Sequence, residues 1–149
     1  MPRELHLSIA LGGAGHRPAE SLNAAHWTDL ISLAEQGTLD FVTVGGSPAP
    51  PPDDSAGRFD AVAILARAAP LTTRIRLVPA VTTTHTEPFH TSTALTTLDH
   101  VSEGRAGWLV DVSSTEAEAL AVGRRGVAPA AELWAEAADT TRTGSGRWP

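Results

Sequence analysis

Apolar positions along the chain recur with two alternating periods, and that alternation predicts a layered fold. Residues 5–11, LHLSIAL, alternate and then run continuously apolar, as a strand covered on its faces would. Over 21–36, Leu22, Ala25, Leu30, Leu33 and Ala34 follow mostly helical spacing, and Gly37 supplies a stop. Residues 39–47, LDFVTVGGS, read as a second strand ending in Gly45-Gly46. The Pro-rich stretch 48–57 is a surface loop, because each Pro fixes φ and removes a backbone donor. A helix over 58–68 ends before Pro70, 74–84 forms a third strand, and 88–102 a helix with Pro near its first turn. Residues 105–114 give a fourth strand, and a last helix runs from Ala130 to about Arg142.

The resulting order, βαβαβαβα with short connections, predicts an α/β fold of parallel strands and right-handed crossovers. It reads as one domain over 1–142 with a flexible tail over 143–149. Within it, LDHVSEGRAGW (98–108) is an αβ joint. Leu98 and Val101 close a helix, Gly104 follows its end, and Trp108 begins a core strand. Trp27 and Trp134 are expected to cover helix–sheet packing, and Asp40 and Asp99 to cap or pair locally.

Composition narrows the function. With 149 residues the chain can bury one core, and a net charge of −6 argues against nucleic-acid binding, which needs a basic face. All 11 basic residues are Arg, and the longest basic run is Arg124-Arg125. The absence of cysteine excludes disulfides, thiolate metal sites and cysteine nucleophiles, and a cytoplasmic location is expected. No apolar run reaches the roughly 18 residues a membrane helix needs, and LHLSIAL is short for a signal-peptide core.

Familiar motifs mostly fail. Gly13 and Gly15 begin a G-x-G, but Pro18 stands at its third position, and Gly45-Gly46 replaces the acid expected after a second Rossmann strand. Without lysine there is no Walker A motif, and no G-x-S-x-G elbow is present. His85 and His90 match no standard zinc spacing. TTTHTEPFH (82–90) is more informative. It sets three hydroxyls and two imidazoles at the C-terminal end of a strand, where parallel α/β proteins bind ligands. Such groups can hold a phosphate or a flavin carbonyl. Equally, β-branched Thr can simply continue the strand while His85 faces solvent.

These pieces resemble the luciferase-like flavin-dependent monooxygenases, in the branch with nitrilotriacetate and dibenzothiophene-sulfone monooxygenases. EPFH…LTTLDHVSEGRAGW is similar to that family's PY…ATLDHLSGGRAGWN signature. LAEQGTLDFVTV and LWAEAADTTR resemble the family's segments around strand two and after strand four. The resemblance implies a TIM-barrel type of fold, here about four βα repeats of an incomplete, half barrel. It implies reduced FMN supplied by a separate flavin reductase, oxygen, and a small organic substrate. At the expected strand ends it places Gly46, Thr82, Thr83 and Ser113 toward FMN and His16 and His85 toward substrate.

Three positions depart from the family pattern. Gly46 stands where an acidic residue usually closes strand two, Ala80 where a Thr contacts FMN, and Leu109 where an Asn follows the strand-four Trp. At about 1 kcal/mol or more per contact, their combined loss lowers flavin affinity by orders of magnitude. A closed barrel also takes about 250 residues, so four strands leave open edges, covered by a second copy in a homo-oligomer. Two other readings stay open: a truncated, inactive relative acting as an interaction subunit, and a flavodoxin-like domain with a phosphate cradle at GGAGHR.

Overall fold

The computed structural model describes residues 5–12, 22–51 and 57–144. Four strands, β1 (Ser8–Leu11), β2 (Phe41–Val44), β3 (Arg76–Thr82) and β4 (Leu109–Asp111), form one parallel sheet in the order β1-β2-β3-β4. Helices α1 (Ala24–Gln36), α2 (Ala61–Ala68) and α3 (Pro88–Val101) are the crossovers. A short α4 (Glu116–Val122) and a longer α5 (Ala130–Gly144) follow β4.

Strand order decides the architecture. Right-handed crossovers that always step to the next strand put every helix on the same side of the sheet, as in a barrel wall. A flavodoxin-like sheet would reverse direction after its second strand. The order 1-2-3-4 has no such reversal and overturns that alternative. Of its proposed cradle at residues 12–17, all but Gly12 lies outside the described residues.

On the helix side, Leu11, Val42, Val44 and Leu77 join Trp27, Ile31, Ile64, Leu65 and Leu98 in one buried core. The pleat turns the intervening residues to the other face, where Thr43, Val78 and Ala80 are only half-buried. Trp27 is buried as expected, packed on Gly12. Trp134, expected in a similar role, is 49% exposed, while Leu133 and Ala137 are the α5 residues buried.

Helix starts fall later than hydrophobic spacing alone suggests, because capping residues set them. Asn23 accepts from the Ala25 and His26 N–H groups, so α1 begins at Ala24 rather than 21. Asp60 accepts from the Ala63 N–H at 2.8 Å and moves the start of α2 from 58 to Ala61. Helix α4 went unpredicted, although its capping box is legible as Thr115-x-x-Glu118. The last helix continues past Arg142 to Gly144, and residues 145–149 of the expected tail lie outside the described residues.

The 98–108 joint contains the tightest construction. Helix α3 ends at Val101, and the turn uses two successive left-handed residues, Glu103 (φ 57°) and Gly104 (φ 80°). Arg105 then places all its guanidinium groups on neutral oxygens. Its Nε donates to Ser102 O (2.8 Å), Nη1 to Thr72 Oγ1 (2.9 Å) and Ile75 O (3.0 Å), and Nη2 to Ala69 O (2.8 Å) and Thr72 O (3.1 Å). Two residues on, a Cβ at Gly107 would lie 2.9 Å from Val78 Cγ2, so only glycine lets the chain approach β3 there.

Glu35 makes a second clasp nearby. Its Oε1 accepts from the N–H groups of Thr73 (2.9 Å), Arg74 (2.5 Å) and Ile75 (2.9 Å), tying the end of α1 to the entry of β3. Partial burial pushes the Glu35 carboxyl up. The three N–H donors and the Arg74 charge outweigh that and hold it below its ordinary 4.5.

Two stability outcomes follow from these clasps. Arg105→Ala leaves several half-buried carbonyls unpaired and costs roughly 3 kcal/mol in urea unfolding, and Arg105→Lys, lacking the fork, recovers only part. Wild-type stability in either variant contradicts the clasp. Because its folded pKa is depressed, Glu35 stabilises above its unfolded value, and that contribution fades as pH falls below 4.5 toward the folded pKa. Glu35→Gln should therefore be less stable at neutral pH and lose less stability between neutral pH and the acid range, measured by denaturation at a series of pH values.

Candidate functional site

The C-terminal ends of the strands carry a different chemistry from their starts. Thr82 closes β3, and its Oγ1 accepts from the Ser113 hydroxyl (2.9 Å) and from the Thr84 N–H (3.3 Å). Thr84 Oγ1 in turn accepts from the Ser113 N–H (2.9 Å). Ser113, just past β4, is 3% exposed, so its polar groups depend on these partners. Thr84 Oγ1 accepts from an N–H, and the Thr82 and Ser113 hydroxyls share one bond between them, so the Thr84 proton and one proton of that pair have no acceptor among the described residues. The network therefore presents donors and suits an oxygen-rich ligand group.

Thr83 behaves differently from its neighbours. Its N–H and hydroxyl both donate to the Asp111 carbonyl, at 2.9 and 3.4 Å, extending the β3–β4 ladder. His85 follows directly, with both ring nitrogens buried and without a hydrogen-bond partner among the described residues. The alternative of His85 facing solvent is thereby overturned for the nitrogens. An imidazole in this setting is under-satisfied, which is uncommon for buried polar atoms.

Helix α4 carries a carboxylate that the sequence pattern did not single out. Glu118, in the first turn of α4, accepts from Ser47 Oγ at 2.7 Å across 71 residues of chain, and its other oxygen accepts from the Thr115 hydroxyl at 2.9 Å. Partial burial pushes the Glu118 carboxyl up. The hydrogen bonds from Ser47 and Thr115, with the electrostatic influence of His85, outweigh it and hold the carboxyl below its ordinary value. Ser47, Thr84 and Glu118 are the site residues missed from sequence. Ser47 and Glu118 meet only through the fold.

Gly46 sits at the mouth of a groove of about 810 Å³ that runs from the β2 and β3 ends between α2 and α3. A Cβ at Gly46 would meet Ala80 O at 3.4 Å and Ala61 Cβ at 3.7 Å, so the glycine leaves room against β3. Thr82 also borders this groove, whereas Thr83, His85 and Ser113 do not. His16 lies outside the described residues. The three departures from the family pattern prove to be neighbours: Gly46 faces the Ala80 carbonyl, and Ala80 pairs in register with Leu109. Gly46 turns toward Ala61 of α2 on the helix side, while Ala80 and Leu109 share the opposite face. Among the described residues no cluster of His, Asp and Glu could hold a metal ion, and no helix is long and apolar enough to cross a membrane.

Residues 4–144 match the family of luciferase-like monooxygenases. The chain belongs to that family. It is 33% identical over 131 residues to N-acetyl-S-(2-succino)cysteine monooxygenase of Bacillus subtilis (strain 168), covering 79% of this chain and 30% of that protein. It is 32% identical over 125 residues to nitrilotriacetate monooxygenase component A of Aminobacter aminovorans, covering 74% of this chain and 28% of the relative. A solved riboflavin lyase, with a modified FMN and riboflavin, superposes with a TM-score of 0.79 at 21% identity, covering 95% of this chain and 37% of that one. The chain thus spans about a third of the length of these relatives. The four-stranded parallel sheet and its helices correspond to part of the TIM barrel of its structural neighbours.

Proposed function

We propose that this chain forms the N-terminal half-barrel, residues 1–142, of an FMN-dependent monooxygenase that acts on a small organic substrate with oxygen and reduced flavin. Family membership supports the reaction class. The observation that carries the cofactor is the donor-presenting network of Thr82, Thr84 and Ser113 at the strand ends, where barrel enzymes bind their ligands. FMN fits that chemistry, since its phosphate and ring carbonyls are acceptors and the two free hydroxyl protons are donors. The unpartnered nitrogens of His85 also leave polar capacity for a bound group at the strand ends.

In this reading Thr82 and Thr84 donate to flavin oxygens, and buried Ser113 holds both threonines in place. Thr83 fixes the strand end through the Asp111 carbonyl, and Gly46 lines the cofactor's approach. His85, with His16, lies on the substrate side and accepts or returns a proton there. When bound, reduced FMN supplies the electrons that activate oxygen. A separate flavin reductase provides it, a role in keeping with a relative named as component A of its enzyme.

The open strands bear on assembly. Among the described residues β1 and β4 each pair with one neighbour, and Leu7 just before β1, Ile9 and Leu109 are 53%, 41% and 48% exposed. A second copy covering these edges gives a homo-oligomer, the arrangement that removes an exposed parallel edge. Such a chain works in the cytoplasm, where reductase and reduced flavin are at hand.

Titration of oxidised and then reduced FMN, followed by flavin fluorescence and absorbance, tests the cofactor. Saturable binding is expected, weakened about fivefold in Thr82→Ala by the loss of one net hydrogen bond. Ser113→Ala should weaken it by a smaller factor, because it frees Thr82 while the residue-113 N–H still holds Thr84. Absence of saturable binding, or wild-type affinity in both variants, contradicts the reading.

A further inference from the structure

The two edges of the sheet are short of opposite things. At the first edge, Ile9 pairs in register with Val42 and stands on the same face as Leu11, the helix side of the sheet. Val42 and Leu11 are buried there, whereas Ile9 and, two residues earlier on that face, Leu7 are exposed. A strand within a ring of helices has one helix on either flank. β1 has α1 on one flank, through Trp27 against Gly12, and no described helix on the other.

At the last edge the shortage is reversed. Helix α5 lies against α3 and buries Leu133 and Ala137. Trp134, about 100° further around the helix, is exposed. Ala130, Ala131 and Ala138, a turn to either side of it, are exposed as well and leave its ring unobstructed. Among the described residues β4 pairs with β3 alone, so the helices that follow it have no next strand to cover.

A strand lacking a helix and a helix lacking a strand complement each other. We propose that two copies of this chain join at both edges, β4 of each running parallel beside β1 of the other, with the Trp134 face of α5 laid over Leu7 and Ile9 of the partner subunit. Four strands from each copy make eight, the number at which such a wall closes, so the contact stops at a dimer and does not grow into a filament. Val78, Ala80 and Leu109, half-buried or exposed on the open face, become barrel interior, which apolar side chains fill. The rim with Thr82, Thr84 and Ser113 becomes one mouth built by both copies. This rests on the half-barrel reading and gives its homo-oligomer a size and a junction.

Sedimentation of the flavin-free chain is expected to show a dimer and no larger species. Ile9→Glu and Trp134→Arg each set a charge in both junctions and are expected to weaken the dimer roughly tenfold or more. Both positions are exposed in a single copy, so the circular-dichroism spectrum stays that of the wild type. Ile9→Ala and Trp134→Ala, which add no charge, weaken the dimer in the same direction. Mixing the two charged variants restores it, since one junction then joins the native residues and the other sets opposite charges together. A monomeric wild type, a ladder of larger oligomers, an unchanged dimer in either charged variant, or no rescue on mixing overturns the proposal. Assembly is read without flavin, so a chain that fails here and still binds FMN loses this junction and keeps its cofactor site.

Discussion

Arg105 fastens the amino-terminal rim of the sheet. Its donors reach the end of α3, the turn after α2 and the approach to β3, so three successive βα units share one side chain. All the acceptors are neutral oxygens, and a planar fork with fixed donor directions meets them where an ammonium could not. Glu35 repeats the device with opposite charge on the N–H groups of residues 73–75. Asp40 does so between β1 and β2, accepting from the Leu7 N–H at 2.7 Å.

The opposite rim is built on the contrary principle. At the strand starts, charged side chains are saturated by backbone partners. At the strand ends, the Thr84 hydroxyl proton, one proton of the Thr82–Ser113 hydroxyl pair and both nitrogens of His85 are left without protein partners among the described residues. Stability concentrated at one end and unsatisfied polar groups at the other is the division of labour expected of a barrel wall. The Ala80–Leu109 pair precedes the polar layer on the open face, which begins two residues further along β3, at Thr82.

Much of this was legible in the sequence. Period-2 and period-3.6 segments gave the element order, and TTTHTEPFH falls where it was expected, at the C-terminal end of β3. What was not legible came from interactions that act over distance. Caps at Asn23 and Asp60 moved helix starts, and a single Thr-x-x-Glu box made α4 out of seven residues with little periodicity. Trp134 was misplaced because residue type says nothing about which face of a helix meets its neighbour, and Leu133 and Ala137 took that role. Ser47 and Glu118, 71 residues apart, become one feature only when β2 and α4 share a sheet end.

The central claim is that the strand ends bind flavin while the strand starts hold the fold. Backbone amide NMR of the chain during FMN addition tests it most directly. The account predicts shifts concentrated at Thr82 to His85, Gly46 and Ser113, with the amides of Thr73 to Ile75 and Arg105 unmoved. Shifts confined to the flank between α2 and α3, or centred on the Arg105 rim, would contradict it.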